Sequence, residues 1–199
     1  MRHSSILAII GLLAVVACAS PPADARDPHA LTLASPQPDA AALKPGLAVK
    51  YAYPRDIEWL ADARRALRGD AKPGQPLVGF DYVDSHLGEK VLTSDRDENV
   101  AAHIEGYMRF DKPGTYQLGF QSNDGLEVEL GGQEVYKHDG RHTCETNGWE
   151  AVAVPEAGWY LLSATFFQRL NTACLLLEWT TPDGAKAWVP NEAFAHLPQ

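Results

Sequence analysis

The sequence has 199 residues, 45% of them hydrophobic and 22% charged, with a formal net charge of −9 at pH 7. This length suits one domain with an N-terminal extension and is sufficient to bury a full core. The acidic balance argues against nucleic acid and anionic membrane surfaces as electrostatic partners, and we attribute it to solubility.

The first residues predict export from the cytoplasm. Arg2 and His3 precede an apolar run over 6–17, which has the length of a signal-peptide core and is too short to span a membrane. Within it, Val-Val-Ala-Cys at 15–18 resembles the lipobox of bacterial lipoproteins. The resemblance implies a signal peptide over 1–17, lipidation of Cys18 and an outer-membrane lipoprotein of the cell envelope. Cleavage at a small-x-small site, at 17–19 or 23–25, is the alternative.

Two segments with different predicted roles come next. Residues 18–45 are rich in alanine and proline without a sustained apolar period, which predicts a flexible tether ahead of a folded domain over 46–199. A helix is predicted over 55–68, because Pro54 suits a first helical position and Gly69 follows as a stop. We expect it to pack an open end or edge of the domain, with Trp59 as an alternative anchor for a partner protein.

A polar stretch over 69–99 contains a short predicted strand at 77–83. Asp81, Asp84 and His86 lie at the end of this strand and just beyond it, and their side chains suit a catalytic or metal cluster. Carboxylates around an irregular loop are more often simply solvated, and no second motif completes such a site. We therefore favour the solvated interpretation.

Residues 104–135 carry the clearest strand pattern of the chain. One strand ends at Phe110, a second alternates apolar and polar residues over 116–121, and a third alternates over 126–130. The turns between them are rich in glycine, proline, asparagine and aspartate. This alternation predicts a sheet with one buried face.

The order of these motifs resembles the core of PA14 domains. The matching segments are Gly-Tyr at 106–107, Pro-Gly-Thr-Tyr at 113–116, Ser-Asn-Asp-Gly at 122–125 and Gly-Gly-Gln at 131–133. The resemblance extends over roughly 46–197 and implies an all-β, antiparallel β-sandwich with one short N-terminal helix. Such domains often bind glycans, some of them through calcium, and are not catalysts. Serine-elbow, phosphate-loop and zinc-helix motifs are absent from the sequence, so we expect no enzyme.

The PA14 resemblance also implies a site. Calcium-dependent members carry two consecutive aspartates where this chain has Asn123 and Asp124, so one carboxylate is lost and a weak calcium site is implied. A second loop contributes Asn171, which would offer an amide oxygen as a ligand. It also contributes Arg169, whose cation would instead take the place of calcium, favour an acidic sugar or pair with Asp124. A plain polar turn at 122–125 is the alternative. The expected partner is a glycan or, alternatively, an envelope protein bound by a structural scaffold.

Cysteines, histidines and tryptophans leave further alternatives. Lipidation of Cys18 leaves Cys144 and Cys174 as an even pair for a disulfide, with two unpaired buried thiols as the alternative. The segment 138–144 has histidine and cysteine ligands in order, but its spacing is weak evidence for zinc. Trp149 and Trp159 lie beside turns, where either side chain would stack on a sugar ring or pack at the rim of the core.

Overall fold

A computed structural model of the protein describes residues 27–198. The predicted signal peptide over 1–17 and the lipidation site at Cys18 lie outside this range. The described residues form two β-sheets, one α-helix (α1, Leu60–Asp70) and a single 3-10 turn (Asn191–Ala193). None of the helices over 27–198 has the length and apolar character needed to cross a membrane.

The strands follow each other in the order β1 (His29–Ala30), β2 (Lys44–Pro45), β3 (Ala48–Ala52), β4 (Lys72–Pro73), β5 (Asp81–Tyr82), β6 (Val100–Phe110), β7 (Gly114–Ser122), β8 (Leu126–Leu130), β9 (Gln133–His138), β10 (Glu145–Thr146), β11 (Glu150–Val154), β12 (Gly158–Gln168), β13 (Leu175–Thr180), β14 (Lys186–Trp188) and β15 (Phe194–His196). The first sheet has the order β1-β11-β7-β13-β14, with β10 on β7 and β5 on β13. The second has the order β2-β15-β6-β12-β8-β9, with β3 on β6 and β4 on β3. All pairings are antiparallel except β1 with β11, so the predicted β-sandwich with one short helix is confirmed.

The core lies between the two sheets and follows the predicted alternation. In β8, Leu126, Val128 and Leu130 are fully buried, whereas Glu127 and Glu129 point away from the core. Aromatic rings fill the end of the core near the turn between β6 and β7. There the ring centroid of Phe110 lies 4.8 Å from that of Tyr116 and 5.4 Å from that of Tyr160. Edge-to-face contacts at these distances add to the energy of apolar burial.

Helix α1 lies on the outer face of the second sheet, against β3, β6 and β12, rather than at an open end or edge. A small second core joins them, formed by Ala52, Ile57, Leu60, Ala63, Ala101 and Phe167. The helix begins five residues later than predicted, because the backbone N–H of Leu60 donates to the Asp139 carboxylate at 2.7 Å. The predicted strand at 77–83 reduces to β5, although Leu77 bridges Leu47.

Part of the predicted tether belongs to the folded unit. The chain over 29–30 pairs in parallel with β11, and Leu31 and Ala34 are 4% and 5% exposed. The backbone N–H of Thr32 also donates to Gly131 at 2.8 Å. The prediction of a flexible segment over 18–45 is therefore wrong for residues 29–34, because the backbone pairs with β11 and the side chains of Leu31 and Ala34 are buried.

Candidate functional site

A polar recess of about 360 Å³ opens at one end of the sandwich. It lies where β7 ends and β8 begins and where β12 ends and β13 begins, and three loops, 122–125, 139–144 and 168–172, meet there. Its lining consists of Asp84, Asn123, Asp124, Arg141, His142, Thr143, Cys144, Gln168, Leu170, Asn171 and Thr172. The predicted residues Asn123, Asp124 and Asn171 are thus brought together, although their role as ligands stays a prediction.

The turn over 122–125 is held tightly. The Ser122 hydroxyl donates to the backbone oxygen of Asp124 at 2.9 Å, and the backbone N–H of His142 donates to that of Asn123 at 2.7 Å. A Cβ on Gly125 would overlap the ring of Phe167, so only glycine fits there. The turn therefore presents its side chains in one fixed arrangement.

Asp124 places a carboxylate at the base of the recess. Its side chain is 4% exposed, and its Oδ2 accepts the backbone N–H of Arg169 at 2.7 Å. Burial raises the pKa of Asp124 above its ordinary value of 3.8, and the Arg169 hydrogen bond and the charge of Arg141 only partly offset this. The fold thus maintains a partly desolvated acid at this position.

Among the described residues, two buried amide oxygens beside this carboxylate have no hydrogen-bond partner. Asn123 is 7% exposed; its Nδ2 donates to Asp84 Oδ1 at 3.1 Å and to Thr172 Oγ1 at 3.2 Å, which leaves Oδ1 unpaired. Gln168 is 1% exposed and donates from Nε2 to the Leu170 carbonyl at 2.8 Å, which leaves Oε1 unpaired. Buried acceptors normally have a hydrogen-bond partner, so these two oxygens are suited to accept hydrogen bonds from a ligand or to coordinate a bound cation.

The side chain of Arg169 leaves the recess. Its Nε lies 3.0 Å from Asp56 Oδ1 and its Nη1 lies 2.7 Å from Glu58 Oε1. The salt bridge to Asp124, one of the alternatives for Arg169, is not formed. Asp124 Oδ2 instead accepts the backbone N–H of Arg169, and the guanidinium pairs with two acids ahead of α1. Instead, the cation on the rim is Arg141, which sequence reasoning missed.

The loop over 138–147 is fixed by a disulfide. Cys144 and Cys174 are bonded with their Cα atoms 6.1 Å apart, as predicted. The zinc interpretation of 138–144 is therefore wrong, because Cys144 is not a free thiolate. The rings of His138 and His142 lie 3.9 Å apart, and burial together with the charge of His142 lowers the pKa of His138.

The other predicted candidates lie elsewhere. Trp149 has Lys186 Nζ 4.7 Å from its ring centroid, and the guanidinium of Arg109 lies 5.7 Å from that of Trp159. Neither indole lines the recess. Asp84 does line it, but it makes no three-ligand metal group with Asp81 and His86; within 27–198 the sole such group combines Asp84 with the two bonded cysteines.

The recess has the oxygen ligand atoms that a hard cation prefers. Calcium takes six to eight oxygens, and carboxylate and amide oxygens are its usual protein ligands. Asp84 and Asp124 provide carboxylates, while Asn123, Gln168 and Asn171 provide amide oxygens. The residues therefore fit calcium by chemistry, with Arg141 as an opposing charge.

Comparison with known families agrees with this architecture. The model of the PA14 domain family matches residues 86–193, more than half of the chain and all three loops of the recess. The chain belongs to the PA14 domain family. The match begins after α1, so the helix and the first strands of this PA14 domain precede the matched region. No curated protein matches the chain at a significant level.

Several solved PA14 structures share the fold. The PA14 domain of the antifreeze protein MpAFP superposes with a TM-score of 0.63 at 16% identity, over 80% of this chain and 93% of that one. The PA14 sugar-binding domain of an RTX adhesin gives 0.58 at 18% identity, over 76% and 98%. The A domain of epithelial adhesin 9 from Candida glabrata, in complex with Galβ1-4GlcNAc, gives 0.63 at 11% identity, over 85% and 96%. At these identities the likeness establishes the fold.

Proposed function

We propose that this PA14 domain is a non-enzymatic carbohydrate-binding module and that the recess is its binding site. The observation that carries the proposal is the pair of unpaired buried amide oxygens, on Asn123 and Gln168, beside the carboxylate of Asp124. Sugar hydroxyls are donors of the right size and number to satisfy these acceptors. Two of the similar structures, described as a sugar-binding domain and as a complex with Galβ1-4GlcNAc, support this class of ligand.

We further propose that calcium assists this binding. Asp124, Asp84 and Asn123 would hold the ion, which when bound supplies a positive centre for sugar hydroxyls. Two carboxylates opposed by Arg141 give a low ligand charge, which predicts weak affinity, on the order of 10⁻⁴ to 10⁻³ M. Asn171 and the turn over 122–125 orient the sugar around this centre.

Thermal unfolding tests the ion site. The midpoint of the full chain is measured in a chelator, in millimolar calcium and in millimolar magnesium, since a ligand of the folded state raises the midpoint by mass action. We expect calcium alone to raise it, and Asp124→Asn to remove the rise. Asp97→Asn, at an exposed position that does not line the recess, is the matched control and should keep the rise.

Glycan binding is tested separately from the ion. An array of neutral and acidic mono- to tetrasaccharides is probed with the full chain, in calcium and in chelator. Binding that Asp124→Asn abolishes and Asp97→Asn preserves supports the site. An empty array for the wild-type chain under both conditions would refute the proposed function.

We also propose that the protein is exported and anchored to the outer membrane of a bacterial cell through a lipid on Cys18. The Cys144–Cys174 disulfide supports this, because it suits an oxidising compartment and uses the other two cysteines. The mass of the mature chain would show the lipid directly. Replacement of Cys18 by serine should release the protein from the membrane fraction; retention would contradict the anchor.

A protein-interaction role is the second candidate. A groove of about 490 Å³ runs over the outer face of the second sheet, where Leu161 is 56% exposed beside Tyr107. We assign sugar binding to the smaller recess because two of the five buried side-chain oxygens without a partner in residues 27–198, those of Asn123 and Gln168, line it beside the Asp124 carboxylate. A scaffold role predicts that Leu161→Asp abolishes capture of an envelope protein while glycan binding is unchanged.

A further inference from the structure

The exposed indole of Trp59 lies beside the recess, although it belongs to the N-terminus of α1. The side chain is 53% exposed. The position that a Cβ would take on Gly140 is 3.6 Å from Cζ3 of the indole. Gly140 immediately precedes Arg141 and His142, which line the recess. The indole therefore offers an exposed aromatic surface next to this rim.

The backbone around Trp59 is fixed by the same loops that build the recess. From the loop over 139–144, the Asp139 carboxylate accepts the N–H of Leu60 at 2.7 Å. From the loop over 168–172, Arg169 binds Asp56 at 3.0 Å and Glu58 at 2.7 Å. Both contacts tie the segment ahead of α1 to the site, so the backbone that carries the indole is held in place before any ligand arrives.

An exposed indole on a fixed backbone next to a polar recess is suited to a ligand with a flat apolar face. The two faces of a pyranose ring differ, and the one that carries mainly C–H groups packs against an aromatic ring with gain of dispersion and apolar burial. Preorganisation lowers the entropy cost of such a contact. The polar recess and the neighbouring indole together provide contacts for two sugar rings, so they suit an oligosaccharide better than a monosaccharide.

We propose that Trp59 forms a second subsite, which stacks on the second ring of an oligosaccharide whose terminal ring occupies the recess. This inference rests on the proposed carbohydrate function and adds the length of the ligand to it. Gly140 is compatible with the subsite because it leaves the rim without a side chain between the indole and Arg141.

The test compares a monosaccharide with its disaccharide. Affinities of the full chain are measured by calorimetry for galactose and Galβ1-4GlcNAc, and for any matched pair that the array favours. Trp59→Ala should weaken disaccharide binding about two- to tenfold and leave monosaccharide binding unchanged, the range expected for one aromatic contact. Trp59→Phe should restore most of the loss.

Trp188 gives the matched control. It is also 53% exposed but lies in β14, at the outer edge of the first sheet. Trp188→Ala should change neither affinity, and circular dichroism should show that α1 persists in Trp59→Ala. Equal disaccharide affinity in Trp59→Ala and wild type, or a proportional loss for both sugars, would overturn the subsite while the recess stands. Failure of the wild-type chain to bind any sugar would overturn the proposed function as well.

Discussion

Removal of the Cys144–Cys174 disulfide should lower the stability of the domain and weaken the sugar binding proposed for the recess. The two cysteines are 30 residues apart in sequence. The loop-entropy model values a cross-link over such a loop at about 3.6 kcal/mol at 25 °C. For a domain of this size, each kcal/mol shifts the midpoint of thermal unfolding by about 2 to 4 °C. We therefore expect the midpoint of a variant with both cysteines replaced by alanine to fall by about 7 to 14 °C.

The same bond holds the rim of the recess, since Arg141, His142 and Thr143 directly precede Cys144. Urea unfolding of the double variant and of the reduced wild-type chain would be compared, both in a Cys18→Ser background that prevents thiol exchange. Reduction removes the cross-link without changing the side chains, so it controls for packing at the buried Cys174. A loss below about 1 kcal/mol in both would refute the assignment of the bond as the main constraint on this loop.

Three further substitutions test the site and its supports. Because burial raises the pKa of Asp124, its ionised form costs stability at neutral pH, and Asp124→Asn should therefore raise the unfolding midpoint at pH 7. The difference in midpoint between the variant and the wild-type chain should close as the pH falls through the raised pKa to 3.8, which calorimetry at a series of pH values would measure. Gly125→Ala forces a methyl group against Phe167, so we expect a loss of about 1 to 3 kcal/mol in urea unfolding and weaker sugar binding; an unchanged midpoint would contradict the contact. Asp139→Ala removes the acceptor for the N–H of Leu60 and should lower the free energy of unfolding by about 1 kcal/mol, whereas Asp139→Asn keeps an acceptor oxygen and should retain most of that stability. Equal stability of the two variants would argue against this cap.

The strands of the sandwich were predictable because their signal is local. Alternation over 126–130 specifies which side of β8 faces the core, and glycine-rich turns mark its ends. The helix was predictable in type, but its first residue was not, since part of its N-terminal capping comes from Asp139, which is 79 residues away. The pairing of residues 29–30 with β11 was missed because a two-residue strand has no period to detect.

The candidate site was predictable only in part. The family resemblance pointed to Asn123, Asp124 and Asn171, and these residues do share one recess. Asp84 and Arg141 come from irregular loops, and nothing in their local sequence shows that the fold brings them beside Asp124. The direction of the Arg169 side chain depends on Asp56 and Glu58, more than 100 residues earlier, so it required the structure.

The short parallel strand β1 has a consequence for how the protein can be handled. It covers the open edge of β11, and an uncovered edge strand offers unpaired N–H and C=O groups to the sheet of a neighbouring molecule. A chain shortened to begin at Gly46 would lose this cover together with the buried Leu31. Such a chain should self-associate through its exposed edge, and a form that behaves as a single molecule needs to retain β1, and therefore the residues from His29 onward.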